Sequence, residues 1–169
     1  DDTLSFQFRK RSFLHPEGGP NTGEVHLLDI GLDKQWIEQA HSNYYIAQLQ
    51  DIMQLYRPRQ PFTHKGSYGS VLLCGGTHGK MGAMVLAARA AVRAGAGLTT
   101  VLIPECGYST LQTAVPEAMC LTSGTRHITD LATDLQASAI GIGPGLGTDT
   151  ATGNALEAFL NQCNRPLVL

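Results

Sequence analysis

Ser70-Val71-Leu72-Leu73-Cys74 runs directly into Gly75-Gly76-Thr77-His78-Gly79-Lys80-Met81-Gly82 and then into an alanine-rich stretch from Ala83 to Ala94. That succession decides the fold. A short run that is apolar on both faces reads as a buried strand, a glycine cluster cannot continue regular structure, and alanine is the strongest helix former. On this reading Leu86, Ala90 and Ala94 repeat on one helix face with Ala87 and Ala91 beside them, and Gly95-Ala96-Gly97 stops the helix. Another β-branched, apolar strand follows at 98–103 and ends at Pro104. The cycle then recurs. Ala139-Ile140-Gly141-Ile142 opens into a glycine run reaching Gly147, a helix is predicted from about 149 to 163, and Pro166-Leu167-Val168-Leu169 reads as the next strand. Short apolar strands with helices between them predict an α/β fold: a mostly parallel sheet, helices on both faces, and ligands beyond the carboxyl ends of the strands. Both glycine loops fall at that edge.

The residues before this core differ in kind. Positions 1–65 carry 15 of the 26 charged side chains but only 4 of the 19 glycines. Leu4, Phe6 and Phe8 alternate with polar residues, and Val25, Leu27, Leu28 and Ile30 follow a turn cluster at 19–23, so two short strands joined by a loop are expected. Two strands alone are at best marginally stable in water, which makes this piece read as the tail of something larger. Ile46, Leu49, Met53 and Tyr56 then fall at near-helical spacing within 36–56, and Arg57-Pro58-Arg59-Gln60-Pro61 ends that connector helix. The chain also stops in what reads as a core strand, so further residues are expected after Leu169.

Composition removes several classes of function. With 43% hydrophobic and 15% charged residues, the 169-residue chain is neither disordered nor collagen-like. A net charge of -2 supplies no electrostatic footprint for nucleic acid, and no apolar run nears the roughly 20 residues that span a bilayer. Cys74, Cys106, Cys120 and Cys163 are widely spaced without a Cys-x-x-Cys pair, and read as buried free thiols in a reducing cytoplasm.

Neither glycine loop meets a standard fingerprint. A P-loop ending at Gly79-Lys80 would require glycine at 74 and a hydroxyl residue at 81, where Cys74 and Met81 stand. Gly141-Ile142-Gly143-Pro144-Gly145-Leu146-Gly147 misses Gly-x-Gly-x-x-Gly, since Leu146 or Thr148 occupies the third glycine position. What remains is close backbone approach to an anionic or bulky polar ligand at a helix start, weighed against glycines that merely make turns. Two such loops on one sheet edge favour a ligand site. His64 and Lys65 read as a solvated loop pair ahead of a catalytic pair, His78 and Lys80 read equally as solvated loop tips or as phosphate contacts, and Arg89 and Arg93 read as the water-facing side of the alanine helix. Paired carboxylates, His-Glu-x-x-His and a serine elbow are all missing, so no self-sufficient catalytic set is visible.

Taken in order, His64-Lys65-Gly66-x-x-Gly69, Gly75-Gly76-x5-Gly82-Ala83, Ala91-x-Arg93-Ala94-Gly95-Ala96-Gly97-Leu98, Val115-Pro116-Glu117 and the 141–147 loop closely resemble the nucleotide-dependent NAD(P)H-hydrate dehydratase domain. The resemblance spans about 100 residues. It implies a ribokinase-like three-layer α/β/α fold and repair of hydrated NADH and NADPH with ADP or ATP and Mg²⁺; a cytoplasmic homo-oligomer is expected separately, from the free thiols and from alanine-rich faces suited to packing between subunits. Thr3-Leu4-x-Phe6, Lys10, Gly23-Glu24-Val25 and Asp29-Ile30-Gly31 resemble the closing strands of a Rossmann-like NAD(P)H-hydrate epimerase domain. The implied division is an epimerase-like tail at 1–35, a linker with its helix at 36–64, and the first portion of the dehydratase domain at 65–169.

The resemblance further implies that Ala83 and Gly145 contact the hydrated nucleotide, with Gly82, Gly143, Gly147, Lys65 and Gly66 as further lining residues. The family's Asp-Ala-Asp, Thr-Pro-His, lysine-glycine and Gly-Thr-Gly-Asp segments would lie after Leu169. No catalytic or metal-binding residue is therefore assigned within the 169, which are expected to be inactive alone. The alternatives are a sugar or vitamin kinase of the same superfamily and a non-catalytic nucleotide-binding module.

Overall fold

The computed structural model describes residues 1–131 and 137–169, which form two compact units, Asp1–Arg57 and Pro58–Leu169. In the first unit, β1 (Asp2–Phe6) and β2 (Glu24–Leu28) pair in parallel, with Asp2 opposite Glu24 and Phe6 opposite Leu28. Two 3-10 turns, Arg11–Leu14 and Gly19–Asn21, fill the connection. Leu4 and Phe6 share a face as their alternation requires, but that face is open, and the buried residue of β1 is Ser5, whose hydroxyl donates to the Phe8 carbonyl. The expected connector helix is instead two short helices, α1 (Lys34–Gln39) and α2 (Leu49–Leu55). Between them the Tyr44 N–H donates to the Ser42 hydroxyl, which itself donates to the Tyr44 carbonyl. This local bonding competes with helical pairing, which explains the break.

The second unit is a five-stranded, all-parallel sheet in the order β5-β4-β3-β6-β7. Its strands are β3 (Ser70–Cys74), β4 (Leu98–Ile103), β5 (Met119–Thr122), β6 (Ala139–Ile142) and β7 (Leu167–Val168). On one face α3 (Met81–Ala94) and α4 (Tyr108–Ala114) cover Val101, Ile103 and Leu73. On the other, α5 (Thr150–Leu160) brings Phe159 against Leu72, Cys74, Leu102, Ile140 and Ile142. The arrangement is three-layered, and each fully buried Leu or Ile contributes roughly 1.5–3 kcal/mol relative to its exposed state.

Two expectations are corrected here. The buried stripe of α3 is Met81, Met84 and Ala88, while Leu86 is 69% exposed and Ala90 and Ala94 also face solvent. The helix starts two residues earlier than the alanine run suggests, so the stripe that matters is set by the methionines. Gly95, with φ of 100°, closes the helix in the left-handed conformation that favours glycine. The compact unit also begins at Pro58, where the Tyr68 hydroxyl receives the Gln60 N–H at 2.9 Å and lies 2.6 Å from the Thr63 hydroxyl, so part of the expected linker packs locally on the turn before β3.

Candidate functional site

The central strand pair determines where a ligand can enter. From β3 the chain crosses by α3 to β4 on one side, and from β6 it crosses by α5 to β7 on the other, with the two helices on opposite faces. The loops leaving β3 and β6 therefore diverge, which makes the β3/β6 junction the topological switch point where open α/β sheets place their ligands.

The floor of this crevice is main chain against main chain. The Gly76 N–H donates to the Pro144 carbonyl (2.8 Å) and the Gly143 N–H to the Cys74 carbonyl (3.1 Å). A Cβ on Gly75 would lie 2.5 Å from the Pro144 oxygen, and one on Gly145, at φ of 71°, would lie 2.9 Å from the Lys80 carbonyl oxygen. These positions need glycine because the two loops touch. Gly147 stands beside Thr77, at ordinary contact distance, and the Cβ position of Gly143 is nearly open. Gly82 faces open space in the first turn of α3, with half-buried Ala83 next to it. Lys80 is the N-cap of α3 and supplies no side-chain cap.

Gly82, Ala83, Gly143, Gly145 and Gly147 are thus brought to one edge. Lys65 and Gly66 are not. They belong to the turn Lys65–Tyr68 before β3, at the amino edge, where the Lys65 carbonyl backs Gly97. An element preceding a parallel strand must lie opposite the carboxyl-end loops, so these two residues do not line the crevice.

A third loop, missed in the sequence, closes over the first. After β5 the Arg126 carbonyl accepts from the His78 N–H (2.8 Å) and the Thr77 hydroxyl (2.9 Å), and the Arg126 guanidinium lies 3.0 Å from His78 Nδ1. Because arginine only donates, Nδ1 is the acceptor and the remaining ring proton sits on Nε2. His127 Nε2 pairs with Asp149 at 3.2 Å, and Asp149 caps α5 through the Ala151 N–H. The Ser-Gly-Thr-Arg-His sequence at 123–127 shows nothing of this, since the contact arises from a crossover distant in sequence.

Beneath the first loop, burial pushes the Cys74 thiol up to about 12, so it is a neutral, inert core group. All four cysteines are free thiols, but against expectation Cys74 alone is buried: Cys106 is exposed and Cys120 and Cys163 are half-buried. No described helix is long and apolar enough to cross a membrane.

The family model for NAD(P)H-hydrate dehydratase matches residues 71–169. A bifunctional NAD(P)H-hydrate repair enzyme of Escherichia coli is 33% identical over 95% of this chain and 31% of its own length. An ADP-dependent (S)-NAD(P)H-hydrate dehydratase of Lactiplantibacillus plantarum is 42% identical over 62% of this chain and 37% of its own. Among solved structures, an ADP/ATP-dependent NAD(P)H-hydrate dehydratase from Bacillus subtilis co-crystallised with ATP/Mg²⁺ superposes with a TM-score of 0.61 at 28% identity, covering 70% of this chain and 42% of that one. A ribokinase-like superfamily protein from Enterococcus faecalis also reaches 0.61, at 31% identity, covering 75% of this chain and 47% of that one. The chain spans about a third of the length of the curated relatives it matches.

Proposed function

We propose, since the chain belongs to the NAD(P)H-hydrate dehydratase family, that the protein returns hydrated NADH or NADPH to the dihydronicotinamide with ADP or ATP as co-substrate. The match of residues 71–169, which include both glycine loops, carries this reading. The alternative of a sugar or vitamin kinase on the same fold has no comparable support.

The chemistry asks little covalent work of these residues. Hydroxide is a poor leaving group. A phosphoryl group passed from the nucleotide to the ring hydroxyl makes a good one; the ring nitrogen lone pair then expels phosphate, and loss of a proton from the adjacent carbon restores the double bond. The glycine edge contributes binding and positioning, the dominant requirement in phosphoryl transfer. We assign Ala83 and Gly145, with Gly82, Gly143 and Gly147 beside them, to the hydrated nucleotide. The knitted floor supports this, because a touching pair of loops holds backbone amides at fixed positions. The four free thiols support a reducing compartment, the cytoplasm.

Mg²⁺ enters this reading as the counter-ion of the nucleotide phosphates. Among the described residues, the cluster with three ligating atoms within 4.8 Å of one another is Asp2, Glu24 and His26, on the exposed surface of the first unit.

The test is recovery of dihydronicotinamide absorbance when the full gene product is mixed with hydrated NADH, Mg²⁺ and ADP or ATP. Nucleotide-dependent recovery is expected, and its absence overturns the reading. Ala83→Trp should raise KM for the hydrate at least tenfold, and an unchanged KM removes Ala83 from the site.

A further inference from the structure

We propose that Arg126 is an anion-binding residue of the crevice, which takes a phosphate group of the nucleotide ligand and is aimed by the clasp it forms with the β3 loop. This rests on the reading of the glycine edge as a nucleotide site. Three observations carry it.

First, the arginine is tied to the loop by its backbone. Two hydrogen bonds to its carbonyl, from Thr77 and His78, fix its Cα against the loop whose Lys80 carbonyl backs Gly145. Second, its charge is unspent. Among the described residues Arg126 makes no ion pair, and the carboxylate at this edge that does pair, Asp149, is engaged by His127. The guanidinium uses one nitrogen on the neutral acceptor His78 Nδ1, which fixes its position without neutralising it and leaves further N–H groups for a ligand. Third, Lys80 stands at the N-terminus of α3, where a cation meets the positive end of the helix dipole. An arginine on the third loop and a lysine at the start of α3 thus border the two loops that meet at the glycine crevice, both solvent-exposed and open to a phosphate.

The phosphate has more than one source: the pyrophosphate shared by NADH and NADPH, the 2′-phosphate of NADPH alone, or the chain of ADP. Calorimetric titration of the full gene product with NADH, NADPH and ADP separately distinguishes them, and it reads binding whether or not the protein turns over hydrate. Arg126→Ala should weaken at least one ligand about tenfold at low salt, in line with a hydrogen bond to a charged group. Equal weakening of NADH and NADPH assigns the pyrophosphate, weakening of NADPH alone the 2′-phosphate, and weakening of ADP alone the co-substrate. Arg126→Lys should recover part of the loss, and the difference between variants should shrink at 1 M salt. His78→Ala should act on the same ligand about threefold, as a positioning residue. Unchanged affinity for all three ligands overturns the proposal, as does a loss that lysine does not restore and salt does not screen. The absorbance assay stands apart: a protein that binds through Arg126 but recovers no dihydronicotinamide sinks the dehydratase reading and leaves the anion site standing.

Discussion

The parallel pairs β1–β2 and β3–β4 are stabilised in different ways. In β1 and β2 the crossover contains 3-10 turns, and among the named large side chains Leu4, Phe6, Leu27 and Leu28 remain exposed. In β3 and β4 the crossover is the 14-residue α3, and Leu72, Cys74, Val101 and Ile103 are wholly buried. The backbone ladders are alike: five register pairs each. The difference teaches that parallel pairing is held by what the crossover carries, because a helix laid on the sheet removes apolar area that a string of turns leaves in water.

The sharpest way to break that contrast is truncation in each pair. Ile103→Ala should lower the stability of the second unit by about 3 kcal/mol, whereas Phe6→Ala should cost below about 0.5 kcal/mol, both read from denaturant midpoints by circular dichroism. Equal costs would mean that the first unit has a core of its own. Next in size is a pair of left-handed glycines. Gly145→Ala meets both a positive φ and the Lys80 carbonyl, and should cost about 2–3 kcal/mol; Gly31→Ala, at φ of 74° with open space around it, should cost about 1 kcal/mol.

The third prediction uses pH. The folded state holds the Cys74 thiol neutral up to about 12, against an ordinary value of 9.0. The unfolded chain therefore releases this proton first, so stability is intact below pH 9 and falls as pH rises toward 12, by about 1.4 kcal/mol per unit. The first unit has no cysteine and cannot share this term. Cys74→Ala should flatten the slope in an alkaline denaturation series. Smallest is Thr99→Val. The Thr99 hydroxyl is buried without a partner, so the isosteric apolar residue should stabilise the second unit by about 1 kcal/mol in thermal melts.

Much of the second unit was readable because its signals are local. The bounds of β3, β4 and β6 follow from apolar runs ended by glycine or proline, and Gly95 stops α3 where expected. The face of α3 was not readable: Leu86 outweighs alanines in any tally of hydrophobicity, yet the sheet selects Met84 and Ala88 by position. Neither α4 nor β5 was anticipated: seven residues are too few for a helical period to show in α4, and β5 opens into no glycine run like those that mark the ends of β3 and β6. At the site, the two glycine loops were legible as composition. Their mutual contact was not, and neither was Arg126, whose importance lies in bonds across 48 and 49 residues of chain.

The hydrogen bond from Gly76 to the Pro144 carbonyl also bears on how this molecule can change over time. It welds two segments nearly seventy positions apart into one inherited piece. A recombinant that takes 75–80 from one parent and 143–147 from another receives two halves of a seam cut to different patterns. Tolerated exchanges should therefore carry both loops together, and drift in one should be answered by drift in the other.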